Sequence, residues 1–298
     1  MINTRNTALS RVTGFFRDIL NYFSSDARHY QVLFLFTFLL FGIFKLGWEV
    51  ELMRFNVTLL TCLGVQAIGI HFTTKDYSGL KSALISAFSL CLMLHTNSLW
   101  TMALAAVLSI SSKFFIRWKG KHIFNPTNFG IISTILIMRL FIPGGDAWVS
   151  PGQWGSDALL FFLVGIAGLV VLFRVKRLDT AIAFLVAFLG LSYARDIIYQ
   201  GWPHDFFLHK LTSGSLLLFS FFMITDPVQT PSSMRARIIW ALMVGALAWY
   251  MTAMLQIQHA APLWALFFLS PLVPVFDRLL PGPRFQWRKD KQPEKVNS

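Results

Sequence analysis

Residues 97–121 read NSLWTMALAAVLSISSKFFIRWKGK: sixteen positions without a charge, then four cations, Lys113, Arg117, Lys119 and Lys121, within nine residues. A span of roughly 20 apolar residues crosses a hydrocarbon core of about 30 Å, and a basic cluster at one end marks the side on which it stops. The run is continuous rather than alternating with period two. In lipid, where every backbone N–H and C=O must be satisfied within the segment, that pattern selects a helix over a barrel strand.

The same unit recurs along the chain. Ten apolar spans are predicted: Tyr30 to Trp48, Phe55 to Phe72, Leu80 to His95, Asn97 to Ile116, Thr127 to Ile142, Asp157 to Phe173, Asp179 to Tyr199, Leu211 to Thr225, Ala236 to Gln256, and Pro262 to Asp277. Alternation along these spans puts six segments on one side. They hold four, two, four, three, two and six Lys or Arg, 21 of the chain's 26. Cationic residues collect on cytoplasmic loops, so both termini are expected inside. The net charge of +12 therefore marks topology, and nucleic acid is not expected as a partner. A composition of 55% hydrophobic and 13% charged residues, with 30 Phe, excludes an ordinary soluble domain. The reading is an all-α integral membrane protein of about ten transmembrane helices in a bacterial cytoplasmic (inner) membrane. Five plus five spans allow an inverted repeat.

Three regions follow: a basic arm over residues 1–29, a ten-helix membrane domain over 30–283, and a basic tail over 284–298. In the arm, Val12, Phe15, Phe16, Ile19, Leu20 and Phe23 recur at helical spacing, which predicts an amphipathic helix on the inner surface. Its four arginines precede any long apolar run, so no cleaved signal is expected.

Two segments stand out where chemistry is concerned. Phe124-Asn125-Pro126-Thr127-Asn128-Phe129-Gly130 opens the fifth span, and Ile224-Thr225-Asp226-Pro227 closes the eighth. Capping is one reading: Asn125 as N-cap with Pro126 at the first helical position, Asp226 as cap of a short turn begun by Pro227. The other is a ligand site, because helix starts and interrupted helices present unpaired backbone donors suited to a flavin or a quinone head group, with Arg235 and Arg237 as counter-charges. Thr180 after Asp179 reads as a capped helix start. Arg139, Arg195 and Asp196 fall near outer span ends, where snorkelling and function are both open. None of the seven histidines falls mid-span, which argues against bis-histidine haem, and two cysteines, Cys62 and Cys91, cannot form a four-thiolate site within one chain. No P-loop, nucleophile elbow or GxGxxG is present.

These residues resemble the large membrane subunits of redox-driven ion pumps, namely the RnfD component of the Rnf complex and its counterpart, the NqrB component of the sodium-translocating NADH:quinone reductase. The Asn-Pro segment with its Phe129-Gly130, and Ser213-Gly214-Ser215 followed by Phe221 to Pro227, look like the family's paired motifs. The resemblance spans roughly residues 30 to 285 and is carried by 121–131 and 211–240. It implies a flavin- or quinone-linked electron transport subunit tied to ion translocation, relaying electrons with partner subunits or a flavoprotein and not catalytic alone. With the ligand-site reading above, the candidate cofactor-binding residues are Asn125, Pro126, Thr127, Asn128, Gly130, Ser213, Gly214, Thr225, Asp226, Arg235 and Arg237. The family attaches FMN covalently through a Thr in the external region after the Asn-Pro helix. Here Pro143 to Ser156 contains no Thr, as in the short UnbU-like branch, so the expectation is noncovalent FMN or riboflavin. The alternatives are a transporter or permease, or a membrane scaffold, without redox activity.

Overall fold

The computed structural model describes residue 17 and residues 26–46, 52–73, 75–142, 144–150, 158–211 and 213–285. The amphipathic helix expected in the basic arm and nearly all of the basic tail lie outside these residues. So does much of the external segment around Pro143 and 151–157.

The first half contains α1 (Ala27–Leu46), α2 (Leu52–Phe72), α3 (Leu80–Met93), α4 (Leu99–Phe115) and α5 (Pro126–Phe141). The second contains α6 (Ala158–Val175), α7 (Leu178–Tyr193), α8 (His204–Leu211), α9 (Gly214–Leu218), α10 (Met234–Ala253), α11 (Ala261–Leu269) and α12 (Val273–Leu279). Among the described residues five helices are long and apolar enough to cross a membrane, a bent pair, α8 with α9, adds a sixth candidate, and four more apolar helices are shorter. Each of the ten spans read from the sequence coincides with one of these. Large apolar side chains such as Phe44, Leu60, Phe72 and Phe115 stay on the outer surface. No soluble protein tolerates that much exposed hydrocarbon, so the chain is a multi-pass membrane protein.

Irregular backbone marks where helices depart from simple spans. α7 continues as π-helical turns over Ala194–Tyr199, and α9 as π-helical turns over Phe219–Met223 that end one residue before Ile224-Thr225-Asp226. Such wide turns are uncommon and concentrate at functional sites. Pro271 and Pro274 split the last span into α11, a 3-10 turn (Ser270–Leu272) and α12, because each proline withholds a backbone N–H. The third span stops at Met93. Leu94–His95 (β1) instead pairs antiparallel with Trp148–Val149 (β4), while Arg117–Trp118 (β2) pairs with Lys121–His122 (β3) in a tight hairpin.

Packing order repeats between the halves. In the first, α1 packs on α3, α2 on α3 and α4, and α4 on α5. In the second, α6 packs on α9 and its π-helical extension, α7 on that extension and α10, and α10 on α11. Ser98 caps α4 by accepting from Thr101 N, and Ser233 caps the equivalent α10 by accepting from Ala236 N. Proline opens both α5 and α11. The first helices of the halves run in opposite directions, since Arg174 near the end of α6 donates to Tyr30 Oη near the start of α1 at 3.3 Å. The last helices do too, because Phe267 late in α11 meets Phe124 and Phe129 at the start of α5, at ring separations of 5.1 and 5.9 Å. This is the arrangement of an inverted repeat. Close approach is bought by small residues: a Cβ on Gly130 would lie 2.6 Å from the Ala105 carbonyl, so α4 and α5 touch backbone to backbone there.

Candidate functional site

The fifth and eighth spans come from different halves, yet their polar ends meet. Asn125 is extended (φ −63°, ψ 125°), and its Oδ1 accepts from Asn128 N at 3.1 Å, capping α5 with Pro126 in the first turn. Its Nδ2 is left over and donates across the interface to the Met223 carbonyl at 3.4 Å and Asp226 Oδ2 at 3.5 Å. Asp226 Oδ1 in turn accepts from Val228 N at 3.0 Å, capping the short turn expected to begin at Pro227. Capping and inter-span contact are thus made by the same two side chains. Thr225 is buried and its hydroxyl donates to the Phe221 carbonyl at 2.7 Å, within the π-helical turn.

Cations fasten the loop that follows. Arg177 Nε donates to Thr230 Oγ1 at 3.0 Å and its Nη2 to the Pro227 carbonyl at 3.3 Å. Arg237 pairs with Asp179 Oδ2 at 2.7 Å and donates to the Ser232 carbonyl at 2.9 Å, whereas Arg235 is exposed. Lys121 Nζ donates to the Thr230 carbonyl and to Asp277 Oδ2 at 2.8 Å, and Asp277 Oδ1 accepts from Ser232 N at 2.7 Å. Burial pushes the Asp226 carboxyl above the usual carboxylate range, against the Val228 and Gln229 amides and the Lys113 and Arg177 charges, which pull it down. Burial, with Arg237 nearby, brings Arg177 down to about 10.

Several buried polar atoms here have no partner among the described residues. Asn128 is fully buried, and neither its Oδ1 nor its Nδ2 makes a hydrogen bond; Gln229 Oε1 and His122 Nδ1 are likewise unmatched. A buried amide with both atoms unsatisfied is costly unless a bound molecule completes it. Ser213 and Gly214 do not join this group. They open α9 at the far end of the same span, where Asp196 is paired with Arg195 at 3.2 Å and Lys210 at 2.9 Å. About ten helical residues at ~1.5 Å each separate them from Thr225. Thr127 is buried near the start of α5, and Thr180 near the start of α7. Arg139 is exposed.

Sequence reasoning missed Lys113. Its side chain is 5% exposed near the end of α4, and Nζ donates to Ser82 Oγ at 3.1 Å, the Ser82 carbonyl at 3.2 Å and Gln66 Oε1 at 3.4 Å. All three partners are neutral. A cation so placed is a functional candidate at membrane depth. Among the described residues, no group of three or more His, Cys, Asp or Glu is placed to hold a metal.

Burial and the neighbouring Lys113 and Arg117 charges bring His122 down to about 4, from an ordinary value near 6.5. The folded value lies below the unfolded one, so the neutral ring's contribution is complete above pH ~6.5 and is lost as pH falls toward about 4. The melting temperature should therefore drop across that window, and His122→Gln should flatten the drop. An unchanged profile in the variant would assign the acid sensitivity elsewhere.

These features define a multi-pass helical membrane protein with two inverted halves, π-helical breaks and a buried polar junction. The family model described as NQR2, RnfD, RnfE matches residues 136–285, half of the chain, and the chain belongs to that family. The matched stretch includes Thr225-Asp226-Pro227 and begins just after the Asn-Pro segment. The D subunit of an ion-translocating oxidoreductase complex from Stutzerimonas stutzeri is 32% identical over 130 residues, 44% of this chain and 36% of the relative. The D subunit from Alcanivorax borkumensis is 25% identical over 237 residues, 60% of this chain and 67% of the relative. That from Pseudomonas aeruginosa is 36% identical over 114 residues, 37% of this chain and 32% of the relative. The chain spans about a third of the length of the first curated relatives it matches.

Proposed function

We propose that this chain is a membrane subunit of a flavin- or quinone-linked electron transport system in a bacterial inner membrane, coupled to ion translocation and working with partner subunits or a flavoprotein. The relatives' names, each the D subunit of an ion-translocating oxidoreductase complex, support this reading. So does the junction at which Asn125 and Asp226 meet from opposite halves. The proposal includes ten spans with both termini on the cytoplasmic side, lipid around the bundle, and noncovalent FMN or riboflavin.

The observation that carries the cofactor part is the Asn128 amide, buried with a donor and an acceptor both unmatched, beside the Asn125–Asp226 contact. A flavin's ring edge presents complementary acceptors and donors, so the residues fit. Bound, it would supply one- and two-electron exchange. Asn128 would hold the ring edge, and Asn125 would fix the start of α5 against the Asp226 turn. Asp226, carrying a raised carboxyl and adjoining Lys113 electrostatically, would hold or release a proton at Oδ2 as the local charge changes. Thr225 precedes Asp226 in the chain, and the Gln229 backbone amide adjoins its carboxyl.

The absorbance of the detergent-purified protein before and after acid precipitation tests this, through the flavin bands near ~370 and ~450 nm. Flavin released to the supernatant supports the proposal. Flavin retained in the pellet would establish covalent attachment instead. A colourless protein from flavin-replete cells would favour the transporter reading, to which the inverted repeat also belongs.

A further inference from the structure

A second polar feature lies beside the junction and shares Lys121, His122, Ser232 and Asp277 with its surroundings. The β2–β3 hairpin turns through Lys119 (φ 48°) and Gly120 (φ 81°), both left-handed, and stands against the end of α12 and the following segment to Arg284. Between them is a cleft of about 230 Å³. Four cations, Lys119, Lys121, Arg278 and Arg284, line it against one carboxylate, Asp277, a surplus of three positive charges. Asp277 is already engaged through both oxygens by Lys121 and Ser232 N. Among the described residues no carboxylate forms an ion pair with Lys119, Arg278 or Arg284.

The cleft is also built to keep its shape. Arg284 donates to the Lys119 carbonyl at 2.9 Å, clasping the chain's last described turn to the hairpin. Arg278 lies over the Trp118 ring at 5.0 Å, which holds its guanidinium at the rim. Gly282 admits the close approach, since a Cβ there would lie 2.7 Å from the Ser233 backbone. Three exposed cations with no carboxylate partner among the described residues line one cleft, a positive patch that attracts an anion. At about 230 Å³ the cleft lies below the roughly 300 to 1,000 Å³ of pockets that enclose whole drug-sized molecules and suits a head group.

We propose that this cleft is an anion site that takes one phosphate group, presented either by a phospholipid head group or by free phosphate. The basic, Trp-flanked hairpin at a bundle end suits the first source, because such clusters collect anionic lipid at the inner leaflet. Lys121 bridges the cleft to the Thr230 carbonyl, so occupancy would also brace the loop after Asp226. The inference stands whether or not a flavin is bound.

The test uses the full chain in detergent. Lipid retention is read by native mass spectrometry with phosphatidylglycerol or phosphatidylcholine added, and thermal stabilisation is read with inorganic phosphate against chloride at equal ionic strength. Lys119→Gln with Arg278→Gln removes two cations but leaves the Arg284 clasp and the Lys121–Asp277 pair; Arg139→Gln, at an exposed position on another element, is the control. Preferential retention of phosphatidylglycerol, weakened about tenfold in the double variant and unchanged in the control, assigns the site to a lipid head group. Saturable stabilisation by phosphate, lost in the double variant and without preference between the lipids, assigns it to free phosphate. Equal retention of both lipids together with no phosphate-specific stabilisation of the unmodified protein overturns the proposal, and this arm needs no variant to fold.

Discussion

Replacing Arg237 by alanine is expected to cost the folded protein about 3–5 kcal/mol, the range for removing one partner of a buried ion pair. Arg237 and Asp179 are each 10% exposed, with 2.7 Å between Nη2 and Oδ2. The variant strands the Asp179 carboxylate and also deprives the Ser232 carbonyl of its donor. Asp179 lies in the first turn of α7, where the helix dipole offsets part of its charge. The double variant Asp179→Asn with Arg237→Ala should therefore recover most of the loss, because no buried charge is then left alone. Urea or thermal unfolding in detergent, run as a double-mutant cycle, measures this. Strictly additive losses would mean that the pair does not act as a unit.

Asn125→Ala is the second large effect, and it separates folding from function. Loss of the α5 cap costs about 1 kcal/mol. The same change removes the only side-chain bond that the described residues show between the Asn-Pro segment and Asp226. The apolar spans and their flanking charges are untouched, so membrane insertion should be normal. Flavin occupancy should fall clearly in Asn125→Ala and also in Asp226→Asn, which keeps an acceptor for Val228 N but loses the charge. Occupancy equal to the unmodified protein in both variants would count against those residues.

Hydropathy made the helices legible because lipid imposes it directly on composition. Asn125 was readable as a cap because Asn-Pro before an apolar run has few other uses. What the sequence concealed depends on contacts between distant segments. Arg237 reads as a free counter-charge, but its partner Asp179 is 58 residues away and itself reads as a dipole-favoured helix start. Lys113 counts as one more inside charge, and only the packing of α4 on α2 and α3 reveals that Gln66 and Ser82 take it inward. The π-helical turns at Ala194–Tyr199 and Phe219–Met223 leave no periodicity signal, since one added residue per turn is invisible in a uniformly apolar run. Ser213-Gly214 sits in the same span as Thr225, and short sequence separation within a helix still means the opposite end of the bundle.

If the junction of Asn125 and Asp226 holds a flavin, as proposed, that flavin is reducible in place. The most direct measurement is an anaerobic dithionite titration of the protein in lipid nanodiscs, alongside Asn125→Ala and Asp226→Asn. The account predicts reversible bleaching of a band near ~450 nm in the unmodified protein and a much smaller amplitude in both variants at equal protein concentration. No bleachable band in the unmodified protein, or equal amplitude in all three, would contradict it.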